Sequence, residues 1–218
     1  MTKTYVQTLN EALHRLMEED SQVFIIGQGV TSPWYVGGLC NGLLEKFGEQ
    51  RVIDTPISEN AVTGAAVGAA IAGMKPILIF PRMDFMLYAL DPIINAAAKW
   101  SYMFGGSASV PLVIWAIINR GGSQGAQHSQ DLTWLFKRIP GLHVVRPWNA
   151  YEAQYYLKWA VRKPNPVVFV DNRELYQTPY KEELLFHSRF DQIGAWCPCP
   201  ASEVLEEEYF KRFESPIY

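Results

Sequence analysis

Residues 51–80 read RVIDTPISENAVTGAAVGAAIAGMKPILIF, and this stretch decides the fold. Arg51 to Asp54 has strand character, Ser58 opens a helix of small residues that ends near Gly73, and Lys75 to Phe80 is apolar again. A strand, a helix and a second strand without hydrophilic alternation describe a parallel pair whose two faces are both covered. The same alternation runs outward in both directions. Residues 4–19 place Val6, Leu9, Leu13, Leu16 and Met17 on one helical face, and Val23 to Ile26 forms a strand ending at Gly27. A short helix from Leu39 to Phe47 stops at Gly48, a residue suited to a left-handed C-cap.

Downstream, a long helix is predicted from Asp84 to Phe104, broken by Gly105-Gly106. A strand at Pro111 to Ile118 follows, then a Gly/Ser/Gln-rich loop over 119–128 and a helix from Leu132 to Arg138. His143 to Val145 and Pro166 to Val170 are the last two strands, with a helix from Ala150 to Val161 between them. The expected architecture is α/β: a doubly wound, mainly parallel six-stranded sheet with helices on both faces. It accounts for residues 1–176. Residues 177–218 carry Pro179, Pro198, Pro200 and Pro216 and are expected to form a C-terminal arm with one short acidic helix, SEVLEEEYFKRF.

Composition narrows the function. The chain has 218 residues, 49% hydrophobic and 19% charged, with a net charge of -3. That supports a substantial core and opposes nucleic-acid binding, which needs clustered cations. No run of about 20 apolar residues offers a membrane span, and MTKTYVQTLNEALHRL lacks the apolar core of a signal peptide. Three cysteines, Cys40, Cys197 and Cys199, form no disulfide framework and point to a cytoplasmic location. Aromatic residues reach 13%, with 7 Trp, a bias that suits buried protein contacts.

Two generic motifs fail on context. Gly27-Gln28-Gly29-Val30-Thr31-Ser32 follows a strand as a dinucleotide fingerprint would, but Ser32 replaces the third glycine and Pro33-Trp34 follow. Gly121-Gly122-Ser123-Gln124-Gly125 matches a nucleophile-elbow pattern, yet Ser123 lies inside a glycine-rich loop with no helix starting at it. A third constellation is stronger. Ser58 is placed to cap the small-residue helix, which puts the Glu59 carboxylate in its first turn. The helix dipole favours the ionised carboxylate and burial the protonated acid, so Glu59 is suited to share a proton. Gly64, Gly68 and Ala72 repeat at four-residue spacing, which lets another backbone approach the helix.

DTPISE, FGG after a DxxxNxAAK helix, GAQHSQ, PGLHVVRPWNAYEA and NPVVF, in that order over residues 4–176, together resemble one family. It is the beta subunit of the thiamine-diphosphate-dependent component of 2-oxo acid dehydrogenase complexes, whose matching region is a transketolase-like pyrimidine-binding domain. The resemblance implies that Glu59 hydrogen-bonds the aminopyrimidine ring and favours its imino tautomer. It implies that Phe85 packs against that ring and that His128 serves transfer of the acyl group to lipoamide. It further implies an alpha-type subunit carrying the diphosphate and Mg2+, an alpha2beta2 heterotetramer and a lipoyl carrier protein as acceptor. The family's potassium site corresponds to Leu112, Ala160, Val161 and Asn165, with Lys163 where an acidic side chain belongs.

Departures bear on the exact activity. The family's Gly-Glu-Asp after the first strand is Gly27-Gln28-Gly29 here, and the family's Glu and Gln in the third-strand region are Ile79 and Pro81. The family's C-terminal domain and its Gly-Asp-Gly metal motif have no counterpart in the sequence, so a partner is expected to complete the active site. Two other readings remain open: a stand-alone transketolase or carboligase subunit of a specialised pathway, and a non-catalytic scaffold that keeps the fold.

Overall fold

The computed structural model describes residues 3–122 and 124–180. Six strands form one sheet: β1 (Val23–Gly27), β2 (Val52–Asp54), β3 (Lys75–Phe80), β4 (Val113–Ile118), β5 (His143–Val145) and β6 (Val167–Asn172). Their order is β2-β1-β3-β4-β6-β5, and every neighbouring pair is parallel. The doubly wound expectation therefore holds. Every residue of β1 and β4 is buried, as a sheet covered on both faces requires.

Side chains alternate between two apolar layers. On one face Val23, Ile25, Trp115 and Phe169 meet α1 (Tyr5–Glu19), α2 (Leu43–Phe47) and α6 (Ala150–Arg162). On the other, Ile26, Leu78 and Ile114 meet α3 (Glu59–Ile71), the segment 83–103 and α5 (Thr133–Phe136). A capping box starts α1: the Gln7 N–H donates to Thr4 Oγ1 at 3.4 Å, and the Thr4 N–H donates to Gln7 Oε1 at 2.9 Å. Small residues let α3 lie close to the sheet through Ala66, Val67 and Ala70. Its outer face, including Ala61, Gly64, Ala65 and Gly68, is exposed. A Cβ built on Gly64 or Gly68 would meet nothing within 4 Å.

Residues 84–104 depart from the predicted single helix. They form a 3-10 turn at Met83–Ala89, a π-type turn at Pro92–Ala97 and then α4 (Ala98–Met103). Pro92 has no N–H to donate to an α-helical ladder, and the first turn is drawn into the cleft described below. The short helix after β1 begins at Leu43 rather than Leu39, because Gly42 adopts a left-handed φ of 74° at its start.

After β6 the chain turns back across α1. The Tyr5 N–H donates to the Thr178 carbonyl at 2.9 Å, and the Tyr180 N–H donates to the Lys3 carbonyl at 2.6 Å. Beneath this crossing Asp171 is fully buried and accepts from Tyr5 Oη at 3.0 Å, Trp115 Nε1 at 3.0 Å and Tyr176 Oη at 2.7 Å. The acidic helix expected in the arm, Cys197, Cys199 and Ser123 lie outside the described residues.

Candidate active site

The cleft sits where the winding reverses. The helix after β1 packs on one face of the sheet and the segment after β3 on the other, which opens a crevice at the C-terminal ends of these two strands. Gly27 and Ile79 are register partners there, and a Cβ on Gly27 would lie 2.4 Å from the Ile79 carbonyl oxygen. The cleft is open to solvent, and its walls include Gln28, Tyr35, Glu59, Arg82 and Phe85.

The loop after β1 forms one wall and is fastened by Asp54. The Gly29 N–H donates to Asp54 Oδ1 at 2.8 Å and the Thr31 N–H to Oδ2 at 3.1 Å, with the Thr31 hydroxyl on the same oxygen. Burial pushes the Asp54 carboxyl up, but the bonds from Thr31, Gly29 and Thr55 outweigh it and hold the group below the usual carboxylate range. Gly29 has φ of +68°, and a Cβ there would fall 2.2 Å from Tyr35 Cδ1. A side chain at 29 would thus displace the Tyr35 ring. Gln28, where the family is acidic, donates through Nε2 to Tyr35 Oη at 2.9 Å.

Glu59 begins α3 and faces the cleft half-buried. Ser58 does occupy the N-cap position, but at φ -162° and ψ 59° its side chain makes no capping bond, contrary to the sequence expectation. Among the described residues the Glu59 carboxylate has no hydrogen-bond or ion-pair partner; Thr63 bonds its main-chain carbonyl instead. Phe85, on the 3-10 turn, lines the same cleft with Val62 and Leu78. A carboxylate in need of a partner, an aromatic ring and apolar walls suit the chemistry of an aminopyrimidine ring.

His128 belongs to a neighbouring layer. Its ring meets Phe85 edge-on, with centroids 5.2 Å apart, and it is not among the residues that wall the cleft. Nδ1 is buried and has no partner among the described residues. Asp84 ties the His128 loop down: its Oδ1 accepts from the Gln130 N–H at 3.2 Å and from Gln130 Nε2 at 2.8 Å, while Oδ2 is buried and unpaired. Sequence reading singled out neither Asp84 nor Arg82. Two charges within the otherwise apolar run FPRMDF were the available signal.

The potassium-type segment lies at the opposite end of the sheet. Leu112 precedes β4 and its carbonyl accepts from the Val167 N–H at 2.9 Å; the Ala160 carbonyl accepts from the Lys163 N–H at 3.2 Å. Val161 is buried, Asn165 is half-buried, and the Lys163 ammonium stands 4.8 Å from the centre of the Trp159 ring. Cys40 is buried, and burial pushes its thiol up to about 12.

Sheet order and cleft together define a doubly wound domain of the thiamine-diphosphate fold, pyrimidine type. A sequence profile described as "Transketolase, pyrimidine binding domain" matches residues 1–179, and the chain belongs to that family. It is similar to "Pyruvate dehydrogenase E1 component subunit beta, mitochondrial" of Saccharomyces cerevisiae, with 43% identity over 80% of this chain and 48% of the relative. The beta-1 subunit of Arabidopsis thaliana is 42% identical over 88% of this chain and 53% of its own length. The Homo sapiens subunit is 39% identical over 82% and 50%. The chain thus spans about half the length of the curated relatives it matches. A solved structure titled "Split gene transketolase, inactive beta4 tetramer" shares the fold, with a TM-score of 0.65 at 18% identity over 85% of this chain and 57% of that one.

These relatives also correct one expectation. All three are named as mitochondrial proteins, which overturns the cytoplasmic assignment drawn from the cysteines. Free thiols report a reducing surrounding and do not identify a compartment. Among the described residues no helix is long and apolar enough to cross a membrane.

Proposed function

We propose that this chain is the pyrimidine-binding, beta-type half of a split thiamine-diphosphate enzyme that decarboxylates a 2-oxo acid and passes on the acyl unit. The observation that carries the reading is the unpartnered Glu59 carboxylate sharing one cleft with Phe85 at the β1/β3 crevice. Likeness to beta subunits of pyruvate dehydrogenase E1 supports the reaction class.

Thiamine diphosphate, when bound, supplies a nucleophilic carbon and a sink for the electrons left by decarboxylation. Glu59, at the start of α3, would bind the aminopyrimidine ring through a proton held between its carboxyl and a ring nitrogen. Phe85 fixes the ring plane and excludes water from that side. His128, behind Phe85, acts as the proton donor when the acyl unit leaves for its acceptor, a lipoyl carrier protein in this reading. An alpha-type subunit holds the diphosphate and Mg2+ in an alpha2beta2 heterotetramer. Exposed Trp34, Ile57 and Tyr88 and the open face of α3 are the surfaces on which such a subunit would pack.

Calorimetric titration of thiamine diphosphate with Mg2+ into this chain, its alpha-type partner and the co-expressed pair tests the reading. The expected result is binding by the pair alone, with Glu59→Gln lowering turnover by roughly 10²–10⁴-fold. Tight pairing without cofactor binding would overturn the reading in favour of a scaffold.

A further inference from the structure

Arg82 leaves β3 and enters the cleft wall with only 7% of its surface exposed. Its Nε donates to Gln124 Oε1 at 2.8 Å and its Nη1 to the Pro81 carbonyl at 2.6 Å. The Gln124 oxygen is itself fixed by Asn119 Nδ2 at 2.9 Å. The Tyr35 ring stands against the guanidinium, with its centre 5.7 Å from Cζ. The head group is therefore aimed by residues that follow β1, β3 and β4. Both of its acceptors are neutral.

No carboxylate lies within 4 Å of Arg82 among the described residues. The charged side chain that acts on it most strongly has the wrong sign. Arg173, which donates to the Trp34 carbonyl at 2.9 Å and the Tyr35 carbonyl at 3.3 Å, holds the Tyr35 segment in place and repels Arg82. Burial first, and then Arg173, pull Arg82 below the usual arginine range, while Tyr35, Tyr176 and then Asp84 oppose them. A buried guanidinium with no counter-ion is expensive to maintain, and it becomes favourable only when an anion completes it. Among the described residues, protein acceptors take two of its five N–H groups, which leaves a planar fork able to receive a carboxylate or phosphate.

The chemistry of the reaction selects which anion this is. The carboxylate next to the keto group departs as neutral CO2, so a cation gripping it would stabilise the ground state over the transition state. A useful partner is an anionic group that stays on the substrate. We propose that Arg82 is a specificity-determining residue that binds a second, distal anion of the substrate, making the preferred donor a 2-oxo acid whose far end carries a carboxylate or a phosphoryl group. This rests on the proposed function for the cleft.

Two measurements test it. In the first, the co-expressed pair without cofactor is titrated with glutarate, inorganic phosphate and butyrate. Glutarate or phosphate is expected to bind at least tenfold more tightly than butyrate, and Arg82→Met to abolish that difference. Preference for glutarate identifies a second carboxylate as the distal group, and preference for phosphate a phosphoryl group. Equal weak binding of all three to the unaltered pair overturns the proposal whether or not the cofactor binds.

In the second, the cofactor-loaded pair is assayed with 2-oxoglutarate, 2-oxo-4-phosphonobutyrate and 2-oxobutyrate. Arg82→Met should lower kcat/KM for the preferred dianionic donor about 100-fold and for 2-oxobutyrate less than threefold, with Arg82→Lys between. An equal loss on all donors, or loss of assembly with the alpha-type chain, would instead make Arg82 a structural or partner-binding residue and overturn the proposal. Failure of the pair to bind thiamine diphosphate would strike the proposed function itself, and the first measurement keeps that failure distinct.

Discussion

Asp171 and Arg82 are both buried charges near the C-terminal end of a parallel strand, and they are treated in opposite ways. Asp171 has no exposed surface and is met by three side-chain donors, from α1, β4 and the turn after β6. Arg82 is 7% exposed, receives two neutral acceptors, and faces another arginine. The first group ties together three elements distant in sequence, so its partners are part of the architecture. The second has its geometry fixed by the chain but its charge left open. Where both sides of a buried polar contact come from one chain, the contact specifies the fold; where one side is missing, the site is prepared for something else.

The largest expected effect comes from breaking the completed cluster. Asp171→Ala leaves the Tyr5 and Tyr176 hydroxyls and the Trp115 N–H without their acceptor, at about 1–3 kcal/mol for each orphaned group. Urea denaturation should show a loss on the order of 4 kcal/mol. Arg82→Met removes a charge that no carboxylate among the described residues pairs with, so the same measurement should move by less than about 1 kcal/mol or show a gain. A loss at Arg82 equal to that at Asp171 would erase the contrast between the two sites.

Much of this arrangement was legible in the sequence. Strands buried on both faces must be apolar throughout, and β1, β3, β4 and β6 announce themselves as VFIIG, KPILIF, VIWAII and VVFVDN. Glu59, Phe85 and His128 were singled out through family motifs, and Glu59 and Phe85 do share a cleft while His128 abuts Phe85. The segment 83–103 was not legible, because Pro92 and the demands of the cleft divide into three pieces a stretch whose residues favour one helix. Nor was the Arg82 site. Its acceptor Gln124 lies 42 residues away and Tyr35 precedes it by two helices and two strands, so no local pattern joins them. The cap expected at Ser58 failed because propensity names a residue type, whereas a capping bond depends on backbone angles that tertiary packing sets.

The smallest effect contrasts Asp171 with a carboxylate nearer the surface. Asp131 pairs with Arg146 at 2.5 Å and accepts from the Thr133 N–H at 3.1 Å and its hydroxyl at 2.5 Å. Burial pushes the Asp131 carboxyl up, but Thr133 and then Arg146 outweigh it, so the folded state holds it below its ordinary value. A carboxyl lowered on folding contributes stability above its unfolded value of about 3.9, and that contribution is lost as pH falls through the lower folded value. The stability gap between the natural chain and Asp131→Asn should therefore shrink by roughly 0.5–1 kcal/mol as pH is lowered from 6 towards 2.5. Asp171 has the opposite sign: burial raises it, despite the bonds from Tyr176, Trp115 and Tyr5. Its linked stability is complete below about pH 3.9 and is lost as pH rises through its folded value. The gap to Asp171→Asn should then hold or widen on acidification, and parallel gaps for the two variants would show that burial does not separate these carboxylates.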